Sequence, residues 1–126
     1  MEFTFEFGGA PQDLTITASG IADIEGYLRM YADLVEDPRF RSDMLILVEQ
    51  SALDLSRCSN EAIEQIAISL AERDWRFPPR AVAIVASTRE SSEGARMGIA
   101  FLGGSQSHRR LFTSRAEALT WLNEHR

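Results

Sequence analysis

Two short apolar runs decide the fold of this chain: Leu45-Ile46-Leu47-Val48 and Ala81-Val82-Ala83-Ile84-Val85. Each run is apolar at every position, which is typical of inner strands of a parallel sheet whose two faces are both covered. Apolar residues at helical spacing lie between the runs, at Ile63, Ile66, Ala67, Leu70 and Ala71. Parallel neighbours need a crossover connection, usually a helix, so the runs are predicted to be adjacent strands of a mainly parallel sheet.

The flanking segments extend this pattern into an α/β domain. Residues 2–7 and 14–19 alternate between apolar and polar side chains on either side of a turn, which predicts an N-terminal β-hairpin. Helices are predicted over 24–35, from Ser59 onward, from about Thr88, and from Ser114, with a short strand at 111–113. The predicted order is β-β-α-β-α-β-α-β-α in a single domain spanning residues 1–126.

Turn and capping residues mark the expected ends of these elements. Gly20 is expected to end the second strand and Gly103-Gly104 the third helix, with a polar loop over 106–110. Two serine–glutamate pairs have the spacing of capping boxes and predict helix starts: Ser87 with Glu90, and Ser114 with Glu117.

The composition is that of a globular protein. The chain has 126 residues, of which 44% are hydrophobic and 25% charged, and its net charge is −6. One domain of this size buries roughly two-thirds of its unfolded surface, so its core needs neither metal nor disulfide. No apolar stretch approaches the ~20 residues of a membrane span, and an acidic chain is a poor ligand for nucleic acid. With one cysteine and no secretory signal at the N-terminus, we expect a cytoplasmic protein.

The sequence lacks the residues that several kinds of catalysis and metal binding require. All 13 basic residues are arginine, so Schiff-base catalysis and a phosphate-loop lysine are excluded. His108 and His125 have no metal-ligand spacing, and Cys58 fits a small half-buried thiol, so no cofactor or metal is expected. We therefore expect a protein that is not an enzyme. Catalysis by a carboxylate pair or by Cys58 is the least favoured hypothesis.

The least regular segment, residues 49–58, follows the first apolar run. Ligand and partner sites of open α/β sheets gather at the edge where parallel strands end, so this segment is the candidate site for interaction or modification. Its polar residues and the first capping position after it form the candidate set: Ser51, Asp54, Ser56 and Ser59. Capping and turn formation account for serines at such positions equally well.

The end of the chain carries a family resemblance. Residues 109–122 resemble the closing segment of SpoIIAA-like (STAS/SEC14-type) small bacterial domains. That segment consists of a short strand, a serine-capped turn and a helix, here with Glu117-Ala118-Leu119 before Trp121-Leu122. Other pieces agree with that family in order: Tyr31, Asp37-Pro38-Arg39-Phe40, Leu45–Val48 and Arg96-Met97. The resemblance implies a strand–helix superhelix with a mainly parallel sheet, which agrees with the pattern analysis.

The resemblance does not extend to the family's phosphorylation switch. In anti-sigma-factor antagonists an Asp-Ser-Ser/Thr-Gly motif lies between the third strand and its following helix. This chain reads Leu53-Asp54-Leu55-Ser56-Arg57-Cys58-Ser59-Asn60 there, without the Asp-Ser pair or the glycine. The leading hypothesis is therefore a non-catalytic regulatory or protein-interaction module that uses residues 49–60 to contact an unidentified protein partner.

A second hypothesis is a binding protein for an apolar small molecule or lipid, as the SEC14-type branch of the resemblance implies. Its sequence support is a surplus of aromatic and methionine side chains: Trp75, Phe77, Met97, Phe101 and Trp121. A homodimer is a further prediction, because the first strand is expected at a sheet edge with Phe3, Phe5 and Phe7 on one face.

Overall fold

The computed structural model describes residues 1–102 and 108–126, which form five strands and four helices in the predicted order. Their bounds are β1 (Glu2–Phe7), β2 (Leu14–Ile21), α1 (Ile24–Glu36), β3 (Leu45–Asp54), α2 (Asn60–Arg76), β4 (Ala81–Val85), α3 (Arg89–Phe101), β5 (Arg109–Phe112) and α4 (Arg115–Asn123).

The strands form one mixed sheet in the order β1-β2-β3-β4-β5. β1 is antiparallel to β2, and every other neighbouring pair is parallel. The two apolar runs are adjacent, with Leu45 opposite Ala81 and Glu49 opposite Val85. The predicted α/β fold class and the central position of both runs are confirmed.

Helices cover the two sheet faces unequally. Successive side chains of a strand point to opposite sides of the sheet, so neighbouring residues of β3 contact different helices. Ile46 belongs to the core cluster that α1, α2 and α3 cover. Leu45 and Leu47 belong to a second cluster, which α4 closes with Ala118 and Leu122. Three helices therefore share one face and a single helix covers the other.

Most helix starts follow the predicted capping chemistry. Ser59 Oγ accepts a hydrogen bond from Ala62 N at 3.1 Å, and Ser114 Oγ accepts one from Glu117 N at 3.4 Å. The capping box predicted at Ser87 and Glu90 is wrong. Thr88 precedes α3 without a side-chain cap, and its hydroxyl donates instead to Ser51 O at 3.0 Å, because β3 extends alongside this turn.

Two predicted strand boundaries are also wrong. Residues 49–54, expected to be irregular, are the second half of β3, because β2 resumes pairing after a bulge between Thr17 and Ser19. Gly20 does not end β2. It continues the strand with a φ of +90°, a left-handed conformation that glycine adopts readily.

The predicted polar loop at 106–110 ends two residues earlier than expected, because β5 begins at Arg109. Arg109 and Arg110 belong to β5, where they pair with Val82 and Ala83, while Thr113 lies outside the strand. Strand pairing thus overrides the polar character of these arginines. The ends predicted at Gly103-Gly104 and the start of the loop at Gln106 and Ser107 lie outside the described residues.

The phenylalanine face of β1 packs inward. Phe3, Phe5 and Phe7 are half-buried against the core cluster under α1, α2 and α3. β1 still lies at the edge of the sheet, with the alternate side chains of Glu2, Thr4 and Glu6 exposed. A homodimer formed along this edge stays a prediction.

Replacing Leu47 with alanine tests the covering of one face of β3 by α4. Leu47 is fully buried under α4, so Leu47→Ala is expected to lower the free energy of unfolding by about 3 kcal/mol. The matched control Leu28→Ala, on the exposed side of α1, should change it by less than about 0.5 kcal/mol. Urea unfolding of both variants measures the difference, and equal effects would contradict this packing.

Candidate functional site

A cavity lies between α2 and the sheet. α2 makes its main contacts with α1 and α3 rather than with the strands below it. Val48 and Ile84 are consequently only half-buried, although they lie in the middle of the sheet on β3 and β4. The expectation that helices cover both faces of the two apolar runs therefore fails at these two positions.

The cavity is mainly apolar. Its volume is about 70 Å³ for the centre of a water molecule, and about 730 Å³ when all space between the lining atoms, including the opening to solvent, is counted. Its apolar lining includes Val48, Ile63, Ile66, Leu70, Ile84 and Ile99. Sites for drug-sized ligands occupy roughly 300–1,000 Å³ and are mostly apolar with a few polar groups. The volume of about 70 Å³ is smaller than that range, so this cavity suits a slender apolar group.

Two glycines of α3 help to shape the cavity. A Cβ atom at Gly94 would lie 2.6 Å from Leu55 Cβ, so glycine is required there for α3 to approach the end of β3. A Cβ atom at Gly98 would meet Ile63 Cγ2 at 3.8 Å, an ordinary contact. Gly98 therefore leaves space that a larger side chain could occupy.

A buried ion pair lies at one end of the cavity. Arg109, the first residue of β5, has a side chain only 2% exposed. Its Nη1 and Nη2 donate to the two carboxylate oxygens of Asp74 in the last turn of α2, the second bond at 2.9 Å. This bidentate pairing is the geometry that an arginine and a carboxylate favour. It lies at the edge where the parallel strands begin, which we call the amino edge.

Arg73 is the second buried guanidinium of this end. Its side chain is 10% exposed, and its Cζ lies 3.9 Å from the centroid of the Tyr31 ring. Its Nη2 is 3.9 Å from Asp74 Oδ1. Its Nη1 is buried and has no hydrogen-bond partner among the described residues. Burial lowers the pKa of Arg73, but an arginine stays protonated at neutral pH, so this donor is a charged one.

The buried cluster of Arg73, Asp74, Arg109 and Tyr31 carries a net positive charge. Asp74 is the one carboxylate that the described residues place against the two guanidinium groups. Burial raises the pKa of Tyr31, so its phenol is neutral at neutral pH. Residues 103–107 contain no acidic side chain. The described residues thus supply two positive charges, Arg73 and Arg109, and one negative charge, Asp74, at this end of the cavity.

Tyr27 and Gln50 add a neutral polar contact to the cavity wall. The Tyr27 hydroxyl donates to Gln50 Oε1 at 3.5 Å, the long limit for such a bond. Gln50 O in turn accepts from the fully buried Ser91 hydroxyl at 2.6 Å. Burial raises the pKa of Tyr27 well above its usual value, which keeps this hydroxyl a neutral donor.

The residues predicted as an interaction site lie at the opposite edge, where the parallel strands end. Ser51 and Asp54 line a shallow hollow with Thr88 and Glu90. Ser51 Oγ accepts from Ser87 N at 3.0 Å, which fixes the turn between β4 and α3. The structure thus brings Ser51 and Asp54 together.

Ser56 and Ser59 have local structural roles. Asp54 Oδ1 accepts from Ser56 N at 2.9 Å and from Ser56 Oγ at 2.5 Å, and these bonds lower the pKa of Asp54. Ser59 caps α2. The alternative interpretation of these serines as turn and capping residues accounts for the contacts that they make.

The large side chains that suggested a ligand site lie outside the cavity. Trp75 is 87% exposed. Trp121 packs on Phe112 at a centroid distance of 5.6 Å, on the sheet face that α4 covers and the cavity does not touch. None of the five, Trp75, Phe77, Met97, Phe101 and Trp121, lines the cavity among the described residues. The sequence signal for the true lining is different: Ile63, Ile66, Leu70 and Arg73 form one helical stripe that ends in an arginine.

The remaining reactive groups are accounted for by packing. Cys58 is half-buried, its Sγ lies 3.4 Å from Ala22 O, and burial raises the pKa of its thiol. Over residues 1–102 and 108–126, no three side chains of the histidine, cysteine, aspartate or glutamate type come together as metal ligands. In the same ranges no helix combines the length and apolarity needed to cross a bilayer.

Neither a protein-family model nor a curated protein sequence matches this chain.

Neutralising Asp74 tests the buried cluster. Asp74→Asn leaves two buried guanidinium groups without a carboxylate, so the free energy of unfolding is expected to fall by about 3 kcal/mol. The control is Asp43→Asn, which removes the charge of an exposed partner of Arg80 and should leave the unfolding midpoint nearly unchanged. Urea unfolding compares the two, and an equal response would show that burial adds nothing to the Asp74 pair.

Proposed function

We propose that this domain is a non-catalytic binding module whose ligand places an apolar portion in the cavity between α2 and the sheet. The observation that carries the proposal is the partial exposure of Val48 and Ile84 at the centre of the sheet. Covering apolar surface is favourable by roughly 25 cal/mol per Å², so an apolar ligand gains free energy by completing this incompletely covered face.

The distribution of polar groups supports the same proposal. The walls are aliphatic, while the charged side chains Arg73 and Arg109 gather at the amino edge. Small-molecule sites combine an apolar enclosure with a few convergent polar groups that fix the orientation of the ligand. The hollow at the opposite edge, where the protein-binding hypothesis places the contact, is more open to solvent than the cavity.

A regulatory interaction module is the second candidate function. It is favoured by the shallow hollow at which Ser51 and Asp54 meet Thr88 and Glu90, next to the exposed Ser56. The resemblance to SpoIIAA-like domains is compatible with this role and with ligand binding. The two sites lie at opposite edges of the sheet, so Ser56→Ala is a substitution that should disturb the second site and leave the cavity intact.

Filling the cavity tests the proposed function. Isothermal titration calorimetry of the whole protein with 1-decanol, repeated at several temperatures, should show binding with a negative heat-capacity change because apolar surface is buried. Gly98→Leu places a side chain beside Ile63 inside the cavity and is expected to weaken binding at least tenfold. Gly98→Ala, which adds one ordinary contact, is the matched control and should bind within about twofold of the native protein.

Two results would contradict this proposal. One is the absence of decanol binding to the native protein, and the other is undiminished binding by a Gly98→Leu variant that is folded by circular dichroism. Weaker decanol binding by Ser56→Ala would instead place the bound decanol at the opposite edge of the sheet, outside the cavity.

A further inference from the structure

The charged end of the cavity indicates what kind of ligand the domain takes. We propose that the ligand is a monoanionic amphiphile, a carboxylate on an unbranched apolar chain, and that Arg73 binds the carboxylate. This inference rests on the proposed function, since it assigns a headgroup to a ligand whose chain lies in the cavity.

The unpaired donor is the first argument. Arg73 Nη1 is buried beside an apolar cavity and lacks an acceptor among the described residues. Buried polar groups are almost always hydrogen-bonded, and an unmet charged donor costs more than a neutral one. A guanidinium binds a charged oxygen acceptor, such as that of a carboxylate, about twice as strongly as a neutral one.

The charge of the cluster is the second argument. Asp74 is engaged by both nitrogens of Arg109 and lies 3.9 Å from Arg73 Nη2, so one carboxylate serves two guanidinium groups. A single additional negative charge makes the cluster neutral. A carboxylate supplies one charge, whereas a phosphate monoester carries up to two at neutral pH and would leave an excess of negative charge.

The position of Arg73 is already fixed before any ligand arrives. Its guanidinium lies over the Tyr31 ring, and its backbone lies in the last turn of α2. The negative end of the helix dipole favours a cation there, which explains how the unliganded fold tolerates an incompletely paired arginine. The binding group is therefore held by contacts that do not need the ligand.

The apolar chain has a matching path along α2. Ile63, Ile66 and Leu70 lie on the same helical stripe as Arg73 and line the cavity with it. The rise from Ile63 to Arg73 is about 15 Å at 1.5 Å per residue. A chain that follows this stripe places its carboxylate at Arg73 and its methyl end towards Ile63.

Matched ligands test the headgroup on the native protein. Calorimetric titrations with decanoate, 1-decanol and decyl phosphate vary the head and keep the ten-carbon chain. Decanoate is expected to bind at least tenfold more tightly than 1-decanol and more tightly than decyl phosphate. Tighter binding of decyl phosphate would overturn the carboxylate assignment.

Variants of Arg73 test the residue. Arg73→Met keeps an unbranched side chain without charge and should weaken decanoate binding at least tenfold and 1-decanol binding much less, so that the preference for decanoate is lost. Arg73→Lys keeps the charge and should retain the preference for decanoate over 1-decanol. Arg76→Met, which removes an exposed arginine one turn further along α2, is the matched control and should bind decanoate as the native protein does.

Thermal unfolding without ligand separates binding from a purely structural role. Because Arg73→Met removes an incompletely paired buried charge, its melting temperature is expected to equal or exceed that of the native protein. A lower melting temperature together with an unchanged preference for decanoate would show that Arg73 serves the fold alone. Equal affinity of the native protein for decanoate and 1-decanol overturns this inference and leaves the proposed function standing, whereas the absence of 1-decanol binding overturns the proposed function and this inference with it.

Discussion

The ion pair between Asp74 and Arg109 fixes the last turn of α2 to the first residue of β5. The two residues are 35 positions apart, and their side chains meet where water is largely excluded. α2 otherwise makes its main contacts with its neighbouring helices, so this pair is a direct tie between the helix and the sheet. With the helix held at that end and standing away from the strands, the space above Val48 and Ile84 stays open.

The same pair determines the electrostatics of the cavity. Asp74 is engaged by Arg109, and Arg73 is left with a buried donor that no described residue accepts. An incompletely paired buried charge is unfavourable for folding, and a functional site is one place where a protein tolerates such a cost. The stacking on Tyr31 and the helix terminus reduce the cost without removing it.

The fold was predictable because its signals are local and agree with one another. The apolar runs, the alternation in β1 and β2, and the caps at Ser59 and Ser114 each predict an element that the structure contains. The errors arise where pairing overrides composition. Residues 49–54, four of which are polar, form strand because β2 pairs with them beyond its bulge, and Arg109 joins β5 because β4 lies beside it.

The candidate site was harder to predict because it depends on contacts between distant segments. The rule that sites gather where parallel strands end directs attention to Ser51, Asp54, Ser56 and Ser59, whereas the buried donor without an acceptor, Arg73 Nη1, lies at the amino edge. No pattern pairs Asp74 with Arg109 in advance. The sequence does contain one local sign of the site, an apolar stripe of α2 that continues into Arg73.

The most direct measurement is a crystal structure of the protein grown with decanoate. The account predicts the carboxylate within hydrogen-bond distance of Arg73 Nη1 and the chain lying along Ile63, Ile66 and Leu70. A structure in which decanoate lies elsewhere, or in which Arg73 Nη1 is satisfied by a group of the chain itself, would contradict it.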